Sequence, residues 1–307
     1  MSAQSVQIWD AVKFEVLTAS TDDDLPIEAL NAIRAVATTL STGLTIIPPP
    51  NTALARYLKP IVKECLELLK EPQQKQAKPA GQIVAVVASS SISAYAYTVQ
   101  NTMPALMLIL SDADVIAKQR ALMQAFNLLF GSAIVIYGSW KDRTAAPEVE
   151  NSLNEYKDTL FGAYCRALMG SYQEETSYRQ TAMKGLAAMS QIKDFLEESE
   201  IGMVVQHLDE IALNISEKDD MRNEALAILR DISTFRSNQI MQITFPAFMA
   251  KLPDSEDEGQ YKGTLEALAK LSLERPVFEV LLTRLLNKLD VVLRSARIHI
   301  RFSIDPF

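Results

Sequence analysis

One short phrase recurs along this chain and constrains its fold more than any other feature. It lies at the start of a predicted helix and consists of a basic residue, two variable residues, and then Ala followed by Leu or Met. The three clear copies begin at Lys118, Arg179 and Arg222, and a weaker copy has Thr264 in place of the basic residue. A fainter fifth copy lies near Ala80. The alanines of the five copies follow one another at steps of 41, 61, 43 and 42 residues: Ala80, Ala121, Ala182, Ala225 and Ala267.

A period in the forties is typical of stacked helical pairs. Each pair buries its apolar face only by packing on the next pair, so such a fold grows as an array. Apolar residues also recur at steps of three and four, as between Leu30 and Leu40 behind Pro26, a residue that suits the first turn of a helix. The sequence therefore predicts an all-α fold, an α-solenoid, in which residues 1–293 form about six to seven helical pairs.

Three prolines lie inside otherwise helical patterns, at similar distances before the next repeated alanine: Pro60, Pro104 and Pro246. A proline inside a helix removes one backbone hydrogen bond, costs roughly 3 kcal/mol and usually produces a kink. Because this cost recurs at matching positions, the pattern predicts bent helices as part of the repeat. Asn51 is the predicted N-cap of the helix that contains Pro60.

The last residues depart from the helical pattern. Polar and apolar residues alternate from Arg297 to Ile304, a period typical of a β-strand. Nothing else in the sequence offers this segment a partner strand. We therefore predict an irregular C-terminal tail over residues 294–307.

The charge and hydropathy of the chain exclude several classes of partner. The net charge is −8 and the isoelectric point is near 5.0, whereas a general nucleic-acid or anionic-membrane binder needs a basic surface. Apolar runs such as 105–110 are too short to span a bilayer. The N-terminus shows no charged segment followed by an apolar one, as a signal peptide would. We expect no direct contact with nucleic acid or membrane.

The residues that could carry chemistry are few. Cys65 and Cys165 lie a hundred residues apart, and the two histidines are His207 and His299. A structural zinc site or an iron–sulfur cluster needs about three or four soft ligands, which this chain does not supply alone. No two of the ten glycines are separated by a single residue, so the chain has no G-x-G phosphate-binding turn. The sequence therefore predicts no catalytic residue, no metal ligand and no cofactor.

Two features leave both a functional and a structural interpretation open. Lys118, Arg179 and Arg222 occupy equivalent repeat positions, so they either contact acidic partner surfaces or pack over the next helix and pair with turn aspartates such as Asp112. The 61-residue step contains an apparent insertion at residues 138–147, which is either a binding loop or a solvated linker.

The recurring phrase, preceded by an acidic turn and a proline-containing helix, resembles the HEAT repeat. Longer stretches of the chain resemble one family in particular, the HEAT-repeat scaffolds of cytosolic iron–sulfur protein assembly, first named for methyl-methanesulfonate sensitivity and nucleotide excision repair. The resemblance covers roughly residues 6–293. It rests on four segments: residues 8–16, 57–81, 117–122 and 264–290.

This resemblance implies an adaptor rather than an enzyme. Its expected partners are the other subunits of the cytosolic iron–sulfur targeting complex and apo iron–sulfur client proteins such as DNA helicases. The expected location is the nucleus and cytoplasm, and the expected processes are DNA repair and transcription. Members of the family are considerably longer, so the chain is expected to correspond to a middle portion, whereas docking to the other subunits is attributed mainly to the C-terminal repeats.

A different class of HEAT-repeat scaffold is the alternative. Nuclear-transport receptors and phosphatase scaffold subunits are built from similar repeats. A transport receptor is expected to bind a small GTPase in its GTP-loaded state, which a pull-down distinguishes from iron–sulfur targeting.

Overall fold

The computed structural model describes residues 2–18, 25–43, 46–141, 148–170, 175–252, 258–273 and 275–304. The chain divides into two compact units, Met1–Leu196 and Glu197–Phe307. The helices of unit 1 are α1 (Ser2–Thr18), α2 (Leu25–Leu40), α3 (Ala53–Leu69), α4 (Ala77–Ala88), α5 (Ile92–Ser111), α6 (Ile116–Tyr137), α7 (Lys157–Met169) and α8 (Thr176–Gln191), with a 3₁₀ turn at Asn154–Tyr156. Those of unit 2 are α9 (Glu198–Leu213), α10 (Asp219–Phe235), α11 (Ser237–Gln239), a π-helical turn (Ile240–Thr244), α12 (Phe245–Ala250), α13 (Glu258–Leu271) and α14 (Arg275–Ile304).

Within unit 1 the helices form two packed rows. Helices α2, α4, α6 and α8 each pack on the next member of one row, and α1, α3 and α5 do the same in the other. Consecutive helices also pack across the rows, as α3 does on α4 and α7 on α8. In the described part of the chain the sole β feature is one antiparallel bridge between Ser139 and Ile192. The predicted all-α helical-repeat fold is confirmed.

Unit 2 repeats the same arrangement with one irregular helix. Helix α9 packs on α10 and on the π-helical turn, α10 packs on α13, and α12 packs on both α13 and α9. Helix α14 contacts the π-helical turn. Val277 and Leu281 of α14 are buried, whereas a second row of large apolar side chains along this helix is exposed: Phe278, Leu282, Leu286, Leu289 and Leu293.

The recurring phrase marks helix starts, as the sequence predicts. Lys118, Arg179 and Arg222 are the third or fourth residues of α6, α8 and α10. Four of the repeated alanines are buried, and Ala121 is half-buried. The weak copy differs, because Ala267 lies in the last turns of α13 rather than near its start. The two-row packing explains the burial, since a small side chain lets neighbouring helices approach closely.

The prolines and the predicted cap fall close to their expected positions. Pro60 and Pro104 lie inside α3 and α5, as predicted. Pro246 instead lies in the first turn of α12, directly after the π-helical turn, where a missing N–H is tolerated. The prediction of Asn51 as N-cap is wrong by one residue. Thr52 caps α3, because its side-chain oxygen accepts a hydrogen bond from the Ala55 N–H at 3.2 Å.

The predicted irregular tail is wrong for residues 294–304, which continue α14 to Ile304. Extending an existing helix adds one hydrogen bond for each residue fixed, whereas a lone strand gains none. Continuing α14 is therefore more favourable for these residues than forming an isolated strand, despite their alternation of polar and apolar side chains. Residues 305–307 lie outside the described residues.

By length and apolar composition, α6 is the one helix among the described residues that is able to cross a membrane. The sequence pattern predicts no such stretch, because apolar runs such as 105–110 are too short to span a bilayer. Half of the stretch is buried inside the fold, where α6 packs on α4, α5 and α8. A core helix passes the same test of length and composition, so this feature is weak evidence for a membrane span.

Helices α6, α7 and α8 meet at a closely packed polar junction. The Tyr164 hydroxyl lies 2.9 Å from the Met123 carbonyl oxygen and 2.8 Å from Asn127 Oδ1. Asn127 Nδ2 donates to the Thr181 carbonyl oxygen at 2.9 Å. A Cβ atom at Gly185 would overlap the Tyr164 ring and lie 2.5 Å from Asn127 Oδ1. Gly185 therefore permits the close approach of α8 to both neighbours.

Gly185→Ala is expected to destabilise the chain by roughly 1–3 kcal/mol, because the added methyl group displaces the Tyr164 ring and its hydrogen bonds. Gly131→Ala in α6 is the matched control. A Cβ there meets nothing within 4 Å, so it is expected to stabilise the helix by up to about 1 kcal/mol. Urea denaturation of both variants measures the two effects, and equal changes in the free energy of unfolding would contradict the described packing.

Candidate interaction surfaces

Two of the three basic residues of the recurring phrase contact the helix that precedes them. Arg179 is 5% exposed, and its Nε donates to the carbonyl oxygen of Leu168 at 3.1 Å, in the last turn of α7. Arg222 Nε donates to the carbonyl oxygen of Ala212 at 3.3 Å, in the last turn of α9. The last carbonyl groups of a helix have no partner within the helix, and the negative end of its dipole favours a cation. These two arginines therefore cap the first helix of their own pair.

Lys118, the remaining basic residue of the phrase, makes no such side-chain hydrogen bond among the described residues. Lys118 is half-buried, and its neighbour Gln119 supplies the contact to the preceding segment by donating to the Ala113 carbonyl oxygen at 2.6 Å. Arg222 also lies 3.5 Å from Asp219, an aspartate at the start of α10. The structural interpretation thus accounts for Arg179 and Arg222, since each donates to a backbone carbonyl group of the preceding helix and Arg222 also pairs with Asp219.

The first residues of the inserted loop are anchored to the segment that follows α8. The backbone N–H of Trp140 donates to the carbonyl oxygen of Gln191, and the backbone N–H of Lys193 donates to the carbonyl oxygen of Gly138, both at 3.1 Å. The Lys193 ammonium lies 5.9 Å from the centre of the Trp140 ring, within the range of a cation–π interaction. Residues 142–147, on which the choice between binding loop and linker depends, lie outside the described residues.

A surface groove runs along unit 2 between α9 and the helical segment 237–251. Two adjoining cavities of about 750 Å³ and about 440 Å³ form it, and both are lined by Gln206 and Ile243. Its floor is narrow near Gly202, where a Cβ would lie 3.2 Å from Gln239 Oε1 and 3.3 Å from Ile243 Cδ1. We call this feature the α9–α12 groove. Its apolar walls include Leu213, Ile243 and Ala247.

The α9–α12 groove contains a buried carboxylate. Asp209 lines it, is only 3% exposed, and has no hydrogen-bond partner for either carboxylate oxygen among the described residues. Burial raises the pKa of this carboxyl group to about 7, and the neighbouring charge of Glu210 adds to the shift. The hydroxyl of Thr244 lies near enough to oppose the shift, but the two groups do not meet hydrogen-bond geometry.

Sequence reasoning missed Asp209. The sequence does contain a sign that Asp209 is unusual. Ile201, Val205 and Leu213 form a row of apolar residues at four-residue spacing, and Asp209 interrupts it. A carboxylate is unfavourable at a position of a helix that the apolar pattern assigns to the core. That Asp209 lines a groove whose opposite wall contains a π-helical turn is visible only in the folded chain.

Comparison with known proteins places these features in context. The chain is 28% identical over 295 residues to the DNA repair/transcription protein mms19 of Schizosaccharomyces pombe, a match that covers 94% of this chain and 28% of that protein. It is 25% identical over 186 residues to the MMS19 DNA repair/transcription protein of Saccharomyces cerevisiae, covering 60% of this chain and 18% of that yeast protein. The chain is thus similar to MMS19 proteins over nearly its whole length.

A vertebrate MMS19 protein matches as well. The MMS19 nucleotide excision repair protein homolog of Xenopus tropicalis is 24% identical over 212 residues, which cover 69% of this chain and 20% of that protein. The chain thus spans about a quarter, or less, of the length of the MMS19 proteins described here. No protein-family model matches it.

The cysteines of this chain are dispersed. Cys65 is fully buried in α3, and burial raises the pKa of its thiol well above the ordinary range. Cys165 and His207 are half-buried in other helices, and the side chain of His299 lies outside the described residues. Among the described residues, no three His, Cys, Asp or Glu side chains are grouped closely enough to hold a metal ion.

We predict that the chain binds no iron–sulfur cluster by itself, since its two cysteines and two histidines are too few and too dispersed for a coordination sphere. Anaerobic incubation with iron and sulfide, followed by desalting, is expected to leave no visible absorption and no protein-bound iron. A stoichiometric cluster that survives desalting would contradict this prediction.

Proposed function

We propose that this chain is a non-enzymatic scaffold that helps deliver iron–sulfur clusters to apo-proteins, including DNA repair and replication enzymes, as part of the cytosolic iron–sulfur targeting complex. The observation that carries the proposal is the match to MMS19 proteins over 94% of the chain in the best-covered case. Those relatives are named for DNA repair and transcription.

The architecture supports a role as a scaffold. Helical repeats present long side-by-side rows of helices, which form extended surfaces for other proteins. Arg179 and Arg222 of the recurring phrase each bind a carbonyl group of the preceding helix. These two arginines therefore stabilise the helical pairs rather than act in catalysis. With two distant cysteines, the chain fits a protein that holds cluster-bearing partners and clients rather than the cluster itself.

The proposed partners are the other subunits of the targeting complex and apo iron–sulfur clients such as DNA helicases. The proposed locations are the nucleus and the cytoplasm, where such clients are made and used. Neither nucleic acid nor a membrane is a proposed partner, because the net charge of −8 disfavours binding to polyanionic surfaces.

Affinity purification of the tagged locus product tests this proposal. We expect the other targeting subunits and apo-helicases to co-purify, and radioactive iron incorporation into those helicases to fall when the locus product is depleted. A parallel pull-down uses a small transport GTPase loaded with GTP or GDP. Selective capture of the GTP form, or recovery of a phosphatase catalytic subunit without targeting subunits, would assign the chain to another class of scaffold.

A further inference from the structure

We propose that the α9–α12 groove binds a helical segment of a partner protein, and that one lysine or arginine on the apolar face of that segment pairs with Asp209. This site is independent of the iron–sulfur role, since it is derived from the geometry of unit 2 alone. Its partner is defined by chemistry: an amphipathic helix that presents apolar side chains and a single cation on one face.

The shape of the groove favours a helix. One wall is a row on α9 at three- and four-residue spacing, and the opposite wall is a row at four-residue spacing on the helical segment 237–251. From Glu198 to Leu213, the α9 wall is roughly 22 Å long, the length of about four helical turns. A groove between two helices accommodates the ridge of side chains on a third helix. The rows are Glu198, Gly202, Gln206, Asp209 and Leu213 on α9, and Gln239, Ile243, Ala247 and Lys251 opposite.

The buried carboxylate specifies the cation. Asp209 is only 3% exposed, yet neither of its oxygens has a hydrogen-bond partner among the described residues. Buried polar groups in folded proteins are normally paired, because an unpaired one loses its hydration without compensation. A guanidinium or ammonium group supplies the missing donors and the opposite charge.

The remaining lining residues suit the same ligand. Leu213, Ile243 and Ala247 provide apolar surface for the methylene groups of a long basic side chain and for its apolar neighbours. Glu210 and Glu198 add negative charge along α9. Lys251 lines the far end, and a helix with an acidic residue one or two turns from its cation would match it as well.

The groove is already formed in the isolated chain. Gly202 lets the two walls approach closely at one end, and the Gln239 side-chain amide donates to the Glu198 carbonyl oxygen at 3.3 Å. The π-helical turn at 240–244 then widens the helix opposite Asp209 by one residue. Single π-helical turns of this kind often lie at functional sites.

Selection from a displayed peptide library tests the proposal. The probe is a library of helical peptides, each about four turns long, with equal numbers of acidic, basic and apolar residues, selected against the full chain. We expect the enriched peptides to share one Lys or Arg within an apolar face. Replacing that residue with Gln is expected to weaken binding at least about tenfold, as measured by fluorescence anisotropy.

Variants of the chain locate the site. Asp209→Asn is expected to weaken binding of the enriched peptides at least about tenfold and to remove their preference for the basic residue over Gln. Ala247→Arg, which places a cation inside the groove, is expected to abolish binding. Asp220→Asn on α10 removes an exposed carboxylate outside the groove and is the matched control with unchanged binding.

Three results would overturn the proposal: no enrichment of any peptide, enrichment without a shared basic residue, or equal affinity for the Asp209→Asn variant. If Ala247→Arg prevents binding but Asp209→Asn does not, the groove binds helices through apolar contacts alone and the assigned charge recognition is wrong. Thermal melting of each variant shows whether lost binding reflects lost folding.

Discussion

Ala225→Arg is expected to lower the free energy of unfolding by about 4 kcal/mol or more. Ala225 is fully buried at the repeated small position of α10, a helix that packs on both α9 and α13. An arginine there overpacks the contact between the helices, which typically costs about 1–3 kcal/mol, and the burial of its unpaired guanidinium costs several more. Because each helical pair depends on its neighbours, the damage is expected to reach α13 around Ala267.

Asn223→Arg is the matched control for this substitution. Asn223 lies in the same helix, two residues before Ala225, is more accessible, and gains the same charge. Its effect on stability is expected to be within about 0.5 kcal/mol. Thermal melts of both variants measure the difference. Equal melting temperatures would mean that the repeated alanine does not mark the packed face of α10.

Asp209→Asn is expected to stabilise the chain at neutral and alkaline pH. The pKa of Asp209 rises from an ordinary 3.8 to about 7 on folding, chiefly because burial disfavours the ionised form. A shift of this size corresponds to roughly 4 kcal/mol of lost stability once the group is ionised in both states. Asparagine has nearly the same shape as the protonated carboxyl group and carries no charge, so it avoids this loss.

The pH dependence of this effect has a definite sign. Between about pH 4 and pH 7 the folded chain retains a proton at Asp209 that the unfolded chain has released, so the stability due to this group falls as the pH rises. Above about pH 7 both states are ionised and the loss is complete. The stability difference between Asp209→Asn and the natural chain should therefore be small near about pH 4 and largest near about pH 8.

Urea denaturation of the two proteins at about pH 4.5, 6 and 8 measures this trend. Using the difference between the proteins at each pH cancels the titration of all other groups. A stability difference that is constant across this range would show that Asp209 is ionised in the folded chain throughout. A variant that is more stable yet fails to bind the selected peptides would also show that the buried charge is retained for binding at the expense of stability.

The repeat period and the apolar spacing were sufficient to predict the all-α fold, because both are local properties of the sequence. The phrases at Lys118, Arg179 and Arg222 lie near helix starts, and Pro60 and Pro104 lie inside their helices, as expected. Local signals were weaker at element ends. Thr52 rather than Asn51 caps α3, and α14 continues through a segment whose alternation indicates a strand.

The roles of charged side chains were decided by contacts between segments distant from one another. Arg179 and Arg222 have equivalent positions in the sequence pattern, but only the packed pair shows that each reaches the end of the preceding helix. Gly185 looks like an unfavourable helix residue until α7 and α8 are brought together, when its missing Cβ makes room for the Tyr164 ring.

By itself, the sequence determined that this chain is a helical-repeat protein similar to MMS19 proteins, with two dispersed cysteines and an acidic net charge. Only the tertiary structure decided which of its polar residues are buried and paired. Asp209 is the clearest case, because its burial in the groove depends on a π-helical turn that lies beyond the whole of α10. Helix formation is governed mainly by residues within a few positions, whereas the environment of a buried charge is set by whichever segments pack against it.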